Sequence, residues 1–432
     1  LRVLSLRNEY SANCFAEMIN GLTSFLEKRA KDLGEVKTLS KWLPSITSAI
    51  EVVGELCTSI DEPELAGQLL KSLVPFVSTV GRNERISDKE NSILNQAVVS
   101  VGKLLLKLDS SYDAEKSLIL SKFSMMFSRE WIEKSKITDD HLCEVFRLFS
   151  RDDLKAIADI LQAMVAVEEL LDASTDYGKR LGAYNAVIKS LKDSEGTSID
   201  LDGVRIREDA LMPVLHRCAL GSVSDDPTTR GSAGLLLSQF GQKYCAEGAE
   251  GRDIVSQMID LLQEKSLRMK TTDLRREPLR VMGEVVRSPM IANLWENGCK
   301  PLETNGMRLD NQIKFAMSLS PLARSDDLEV DCFENAAHIQ RHRRARSIRR
   351  AMELVNDGSI PGQTGIKYLH PLALRMTFED DATRRELPGQ RDNDNEIANA
   401  CASLAGAVAK KLFLDILPRC CNKSHSNDEI SR

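Results

Sequence analysis

The chain has 432 residues, 42% of them apolar, and a formal net charge of −6 at pH 7. This composition is typical of a globular protein that buries a core, and it excludes both a disordered tail and a generally basic nucleic-acid coat. No stretch approaches the roughly 18 consecutive apolar residues of a membrane span, so we expect no membrane association. The start, Leu1 to Arg7, lacks an initiator Met and a secretory signal, so we expect a fragment of a longer protein.

Apolar residues recur at spacings of three and four along nearly the whole chain, which predicts helices throughout and almost no strand. One such stripe runs from Leu65 to Val77, and each stripe is wide enough to need a partner helix. Acidic or turn-rich joints separate the stripes at 82–88, 192–203, 221–229, 298–306 and 379–395. The sequence therefore predicts N-terminal helical repeats in 1–192, middle repeats in 204–297, further HEAT-like repeats in 307–420 and a polar tail in 421–432.

Prolines and small residues recur together along the chain. Three Leu-x-Pro bends are followed, at spacings of 27, 28 and 35 residues, by helices with small residues: Pro75 with Gly102, Pro213 with Gly241, and Pro371 with Gly406. A proline bend and a close helix approach are typical of two-helix repeats that stack on one another. We predict an all-α fold, an α-solenoid of HEAT-like or armadillo-type repeats. An irregular helical domain whose prolines recur by chance is the alternative.

Chemistry-bearing motifs are scarce. The sequence has no glycine-rich phosphate loop, no zinc-protease motif and no nucleophile elbow. Eight of the ten cysteines are spread singly from Cys14 to Cys401, and Cys420 and Cys421 are adjacent, which indicates a reducing compartment. Cys332 with His338 and His342 lacks an evident fourth zinc ligand. Acidic pairs such as Asp225-Asp226 are interpreted as helix caps. We predict no enzymatic activity, no cofactor, no metal and no small-molecule substrate.

A basic helix is predicted from His338 to Met352, with six arginines and no acid. At 100° per residue its apolar face carries Ala345, Ile348, Met352 and Val355. The opposite face is predicted to carry a solvent-exposed ridge of Arg343, Arg346 and Arg350, flanked by Arg344 and Arg349. Arg341 projects into the apolar stripe, so it should either precede the regular helix or be buried with Asp331 or Glu334.

A second basic helix is predicted from Lys270 to Arg287. Arg276, Arg280 and Arg287 fall together on it, opposite an apolar stripe. Guanidinium groups suit phosphate, so both ridges are candidate contacts for RNA or for an acidic protein partner. The alternative is that these arginines pair with acids of adjacent repeats, for which the acidic segment 326–334 is suited. Because neither helix carries aromatic side chains, we do not expect sequence-specific reading of single strands.

The segment 331–350 reads DCFENAAHIQRHRRARSIRR. It resembles the signature of the down-regulated-in-metastasis family, approximately DFFEN, two residues, then HxQxHRRARAL. The later Asn356 to Ile360 and Leu369 to Leu372 also resemble that family. Departures are Cys332 for an aromatic residue and Ser347-Ile348 for Ala-Leu, whereas residues 1–325 carry no motif that matches.

The resemblance implies a giant HEAT-repeat component of the small-subunit processome. Such a protein is a nucleolar scaffold without enzymatic activity, bound to pre-rRNA and processome proteins in the context of a small nucleolar ribonucleoprotein. It is needed for the pre-rRNA cleavages that yield 18S rRNA. The alternative function, from a different class, is a cytosolic HEAT-repeat adaptor whose arginine ridges bind acidic peptides of protein partners.

Overall fold

The structure, a computed structural model, divides into two compact units, Leu1–Leu220 and Gly221–Arg432. The joints 298–306 and 379–395, nearly all of 82–88, and the tail 421–432 lie outside the described residues, and the predicted section boundaries stay predictions. The described residues are 12–35, 42–80, 88–128, 136–165, 173–193, 199–245, 248–269, 271–289, 291–292, 316–323, 327, 329–377 and 396–411.

The first unit is built from consecutive helices. Within it α1 packs on α3, α2 on α4 and α4 on α6, two places along the chain, whereas α6 packs on α7 and α7 on α8. Its helices are α1 (Ala12–Glu35), α2 (Leu43–Ser59), α3 (Pro63–Val80), α4 (Asp88–Leu105), α5 (Asp113–Ser124), α6 (Lys136–Arg147), α7 (Asp152–Val165), α8 (Ala173–Asp193) and α9 (Glu208–Gly221). Short 3-10 turns, Ser110–Tyr112 and Met125–Ser128, flank α5.

The second unit continues in the same manner. Here α10 packs on α12, α11 packs on both of them and also contacts α16, and α12 contacts α13. Its helices are α10 (Pro227–Cys245), α11 (Gly248–Arg268), α12 (Thr272–Val286), α13 (Cys332–Ala336), α14 (Arg341–Asn356), α15 (Gly362–Thr364), α16 (His370–Thr377) and α17 (396–411). A 3-10 turn occupies Ser320–Leu322, and a π-helical turn, Gly365–Leu369, joins α15 to α16.

The predicted fold class is confirmed: the described residues are almost entirely helical, and neighbouring helices pack in chain order as in an α-solenoid of HEAT-like repeats. Pro75 and Pro213 lie inside α3 and α9, as the Leu-x-Pro pattern predicts. Pro371 follows the π-helical turn, which fits the loss of its backbone donor from the hydrogen-bond ladder. None of the helices within the described residues is long and apolar enough to span a membrane.

Two of the three predicted close approaches at glycine are confirmed. A Cβ on Gly102 would meet Leu148 at 2.9 Å, and one on Gly241 would meet Val285 at 2.5 Å, so both positions admit only glycine without movement. The third expectation is wrong, because a Cβ on Gly406 would meet nothing within 4 Å. Gly406 faces open space on α17, so the small residue there has no packing role among its described neighbours.

The only strands in the described residues lie at the end of the joint 192–203 and just after it. Strands β1 (Ile199–Leu201) and β2 (Val204–Ile206) pair antiparallel, with Leu201 opposite Val204. The two turn residues Asp202 and Gly203 have φ values of 52° and 82°, the left-handed pair that a tight hairpin requires. Six residues are too short a run for alternation to be recognised in the sequence.

Candidate functional site

Asp331, the first residue of the motif at 331–350, is fully buried and caps α13. Its carboxylate accepts hydrogen bonds from the backbone N–H groups of Phe333, at 2.9 Å, and Glu334, at 3.0 Å. It also accepts one from Nη2 of Arg287, at 2.9 Å, just after the end of α12. The buried charge is therefore neutralised by a helix N-terminus and a guanidinium, and it joins α12 to α13.

Asn335 extends this network to the next helix. Its Nδ2 donates to the backbone carbonyls of Glu329, at 2.6 Å, and Asp331, at 2.8 Å. Its Oδ1 accepts a hydrogen bond from Nε of Arg343, at 3.0 Å. Asn335 is 1% exposed, so each of its polar atoms needs such a partner. Arg343 is consequently half-buried: its Nε contacts the buried Asn335, and part of its side chain stays accessible to solvent.

The exposed face of α14 is rotated by about one position from the prediction. Ala345, Ile348 and Val355 are buried, as predicted, but Met352 is only half-buried. Among the predicted ridge residues, Arg346 is exposed whereas Arg343 and Arg350 are half-buried. The exposed positions of the helix, at one-turn spacing, are His342, Arg346, Arg349, Glu353 and Asn356. Arg349 pairs with Glu396, and Nη1 of Arg350 lies 3.1 Å from Glu353.

Two predicted placements on α14 are corrected. Arg344 does not flank a surface ridge, since it is only 3% exposed and its Nη1 donates to the carbonyls of His338, at 3.0 Å, and Ile339, at 2.9 Å. Arg341 is the first residue of the helix and half-buried, with Gln340 as N-cap. The buried arginine is therefore one turn beyond the one expected, because the helix begins at Arg341 and places Arg344 over the core.

The three candidate arginines of α12 differ in their exposure and in their ion pairs. Arg276 is exposed and, within the described residues, forms no ion pair. Arg280 pairs with Glu277, at 3.0 Å from Nε, and with Glu284, and the hydrogen bond to Glu277 is the first cause of its raised pKa. Arg287 pairs with Asp331. Arg280 and Arg287 therefore pair with acids of the same chain, which was the alternative prediction for these arginines. The partner of Arg287, Asp331, lies in the predicted acidic segment 326–334.

Sequence reasoning missed Arg275. It is 2% exposed, the largest fully buried side chain of the described residues. A signal existed, because Leu279, Met282 and Val286 follow it at helical spacing and are all buried. The same spacing from Arg344 runs through Ile348 and Val355. The helical spacing therefore places Arg275 and Arg344 within the apolar stripes of their helices.

The two basic helices meet near the loop between α13 and α14. The pKa of His338 is lowered first by partial burial and then by the positive charges of Arg343 and Arg276, with His342 next. Arg276 of α12 and Arg343 of α14 therefore lie on the same side of the second unit. Beside His338 the side chain of Ile339 is 78% exposed, which is unusual for a large apolar residue.

The motif residues Cys332, His338 and His342 are not arranged to bind zinc. The Cys332 thiol is buried, with its pKa raised to about 12 by burial, and it points to the carbonyl of Ser347 at 3.9 Å. Nδ1 of His338 accepts a hydrogen bond from the backbone of Gln340, and His342 is exposed on α14. No cluster of potential metal ligands occurs in the part of the chain that the structure describes.

The chain matches the family described as U3 small nucleolar RNA-associated protein 20, N-terminal, over residues 7–270. It belongs to this family. The match covers more than half of the sequence, including most of the first unit. In that part the sequence analysis found apolar residues at helical spacing but no family motif. The signature-like segment 331–350 lies beyond the matched range, so two separate parts of the chain indicate the same family.

Membership of the U3 small nucleolar RNA-associated protein 20 family confirms the resemblance stated from the motif. It supports a role for the chain in the small-subunit processome and hence in ribosome biogenesis. The family implies association with pre-rRNA and processome components in general, and a nucleolar or nuclear location.

Proposed function

We propose that the chain is a non-enzymatic scaffold of the small-subunit processome, needed for the processing that yields 18S rRNA. It holds pre-rRNA through a cationic surface, here defined as Arg276, Arg343 and Arg346. Because the sequence contains no catalytic motif, its contribution is binding and positioning. The other predicted contact residues, Arg280, Arg287, Arg344, Arg349 and Arg350, contribute less since their side chains are buried or paired with acids.

The observation that carries this proposal is the exposure of Arg276 and Arg346 without ion pairs within the described residues. Arginines left unpaired at the surface keep their full charge for an external anion. They lie on a chain whose net charge is −6, so the affinity for a polyanion has to come from such a local patch. Arg343 adds a guanidinium that Asn335 holds in one orientation.

Phosphate is the RNA group that this surface suits. Arginine contacts to phosphates position a protein on RNA without reading its sequence. Side chains that stack on bases are missing from α12 and α14, which contain no aromatic residue. We therefore expect the contact to be with structured RNA and to depend strongly on salt and little on sequence.

The test is the salt dependence of RNA binding. In the double variant Arg276→Ala with Arg346→Ala, binding of the chain to a structured RNA should weaken. The slope of the logarithm of the binding constant against the logarithm of salt concentration should fall by up to about two, since each lost phosphate contact removes roughly one. Fluorescence anisotropy at several salt concentrations measures it.

A matched control removes equal charge from the first unit. Arg205 and Lys189 are both exposed, so the double variant Arg205→Ala with Lys189→Ala changes the net charge by the same amount. It should leave the slope unchanged. An equal loss in both double variants, or none in either, would contradict the RNA contact at this surface.

A second candidate function is supported by Ile339, whose exposed side chain lies next to these cations. An exposed apolar side chain next to positive charge suits an acidic protein partner with a small apolar pocket. In that case the chain is an adaptor that binds an acidic peptide. Ile339→Ser would then abolish binding of that partner in a pull-down while leaving the affinity for RNA unchanged.

A further inference from the structure

A short loop, residues 338–340, joins α13 to α14 and presents Ile339 to solvent. The side chain of Ile339 is 78% exposed, the highest value among the large apolar side chains of the described residues. Its sequence neighbours His338 and Gln340 are polar. Single exposed apolar side chains are common on protein surfaces, and Ile339 differs from them in how its backbone is held and in the charges that lie beside it.

Hydrogen bonds fix the backbone of the loop 338–340. Nη1 of the buried Arg344 donates to the carbonyl oxygens of His338, at 3.0 Å, and Ile339, at 2.9 Å. Nδ1 of His338 accepts a hydrogen bond from the backbone N–H of Gln340, at 3.0 Å. Partial burial, followed by neighbouring positive charge, lowers the pKa of His338, so its ring is neutral at pH 7 and keeps this bond. Ile339 is therefore presented on a loop that is ordered before a partner arrives, which lowers the entropy cost of binding.

Positive charges on two helices lie beside this loop. Arg343 and Arg276 are the arginines that affect the pKa of His338 most, so both lie near it. Nε of Arg343 is held by Oδ1 of Asn335 at 3.0 Å, and Arg276 is exposed. Arg346 is exposed about one turn further along α14. The second unit thus presents one apolar side chain beside a surface that attracts anions.

This combination suits a nucleotide better than a protein surface. A stable protein interface buries about 800 Å² on each partner and is centred on several apolar side chains. Between residues 331 and 356, Ile339 is the one exposed large apolar side chain. A nucleotide needs no more than that, because it carries a flat base with apolar faces and a phosphate that a guanidinium binds.

We propose that Ile339 packs against an unpaired base of the RNA while the cationic surface binds the phosphates beside that base. The ligand class is double-stranded RNA interrupted by an unpaired nucleotide, such as a bulge. An unpaired base reaches Ile339 without the cost of opening a base pair. The aliphatic side chain offers no hydrogen bond, so the contact reads the structure of the RNA and not the identity of the base. This inference rests on the proposed RNA contact and names the kind of RNA that it takes.

The test compares two RNAs that differ by one nucleotide. A perfect duplex and the same duplex with one bulged nucleotide are titrated with the full chain and followed by fluorescence anisotropy. The chain should bind the bulged RNA about fivefold more tightly, at the low end of the range for base stacking, since an aliphatic side chain offers less contact than an aromatic ring. The preference should be similar for all four bases at the bulge.

Ile339→Ser should abolish this preference. Its affinity for the bulged RNA should fall to that for the duplex, while its affinity for the duplex should stay unchanged because the arginines remain. Ile339→Leu should keep the preference, since it keeps the apolar contact. The matched control is Leu106→Ser, which changes a 61% exposed leucine of the first unit and should leave the preference unchanged.

A fluorescent base analogue at the bulged position reports the contact itself. Its emission, which depends on stacking, should change when the unmodified chain binds and should not change with Ile339→Ser. A change of the same size with both chains would show that the base does not pack on Ile339, and it would overturn the inference.

The double variant Arg276→Ala with Arg346→Ala separates this inference from the proposed function. It should weaken the binding of both RNAs by a similar factor and keep the preference for the bulge. If it does so, but the unmodified chain binds both RNAs equally or Ile339→Ser keeps the preference, the base contact is overturned and the phosphate contact stands. Loss of a protein partner by Ile339→Ser, with the preference for the bulge intact, would also overturn the base contact, in favour of the adaptor. An arginine variant without effect on either RNA would contradict the phosphate contact, on which the inference rests.

Discussion

Asp331 carries a charge in a place that water does not reach, and two kinds of partner stabilise it there. The N-terminus of α13 supplies two N–H donors, and Arg287 supplies a guanidinium from α12. Asn335 adds contacts to the backbone and to Arg343. Half of the signature-like motif is thus buried in the second unit. Its residues Asp331 and Asn335 have a structural role, whereas Arg346 is free to act at the surface.

Asp331→Ala should be strongly destabilising. It removes the cap of α13 and leaves Arg287 without this carboxylate, and breaking a buried ion pair typically costs about 3 to 5 kcal/mol. Asp331→Asn should cost about 1 kcal/mol less, because an amide oxygen still caps the helix. The free energy of local unfolding is measured by hydrogen exchange of the amides of α13 and α14.

Glu353→Ala is the control for the removal of an acid at the surface. Its partner Arg350 is partly solvated, and such pairs contribute about 0 to 1 kcal/mol. Similar losses for Asp331→Ala and Glu353→Ala would show that Asp331 is not the buried anchor described above.

Residue placement was only partly predictable from the sequence. The periodicity of Ala345, Ile348 and Val355 gave the direction of α14 correctly, and Arg346 emerged at the surface as predicted. Arg344 is buried instead of lying at the surface, because the prediction assigned only apolar residues to the buried face of α14. A guanidinium that finds backbone carbonyls can be buried within an apolar stripe, and no composition rule reveals those acceptors in advance.

At the scale of elements, glycines differ in whether a neighbouring helix lies against them. Gly241 of α10 faces Val285 of α12 and Met258 of α11. Gly406 of α17 faces open space among its described neighbours. The sequence shows both residues in the same kind of small-residue run, so the difference belongs to tertiary packing and was not readable from spacing.

These two glycines provide an opposed pair of variants. Gly241→Ala should destabilise the second unit by about 1 to 3 kcal/mol, since the methyl group overlaps Val285 and forces packing to shift. Gly406→Ala should stabilise α17 by about 0.5 to 1 kcal/mol, because alanine has the higher helix propensity and the space is open. Urea unfolding of both variants measures the difference, and effects of the same sign would contradict the packing described here.

Element type was the most predictable property of the chain. The spacing of apolar residues identified helices, and Leu-x-Pro patterns marked the prolines inside α3 and α9. The hairpin at 199–206 escaped prediction because its strands have three residues each, fewer than periodicity requires. Its turn, Asp202-Gly203, carried the only local signal.

At the scale of the whole molecule, function was indicated by a motif and a family match in different parts of the chain. The motif at 331–350 suggested a processome protein, and the match over 7–270 supports the same family. Composition alone could not have given this, because a net charge of −6 is equally compatible with a protein adaptor.

Association with pre-ribosomal particles tests the central claim most directly. A tagged form of the chain, expressed in cells, should be followed through a sucrose gradient of nuclear extract, with U3 small nucleolar RNA detected in the same fractions. We expect the chain to sediment with the large particles that contain this RNA, and to shift to the top of the gradient after ribonuclease treatment. A chain that stays at the top while U3 small nucleolar RNA sediments in large particles would contradict the account.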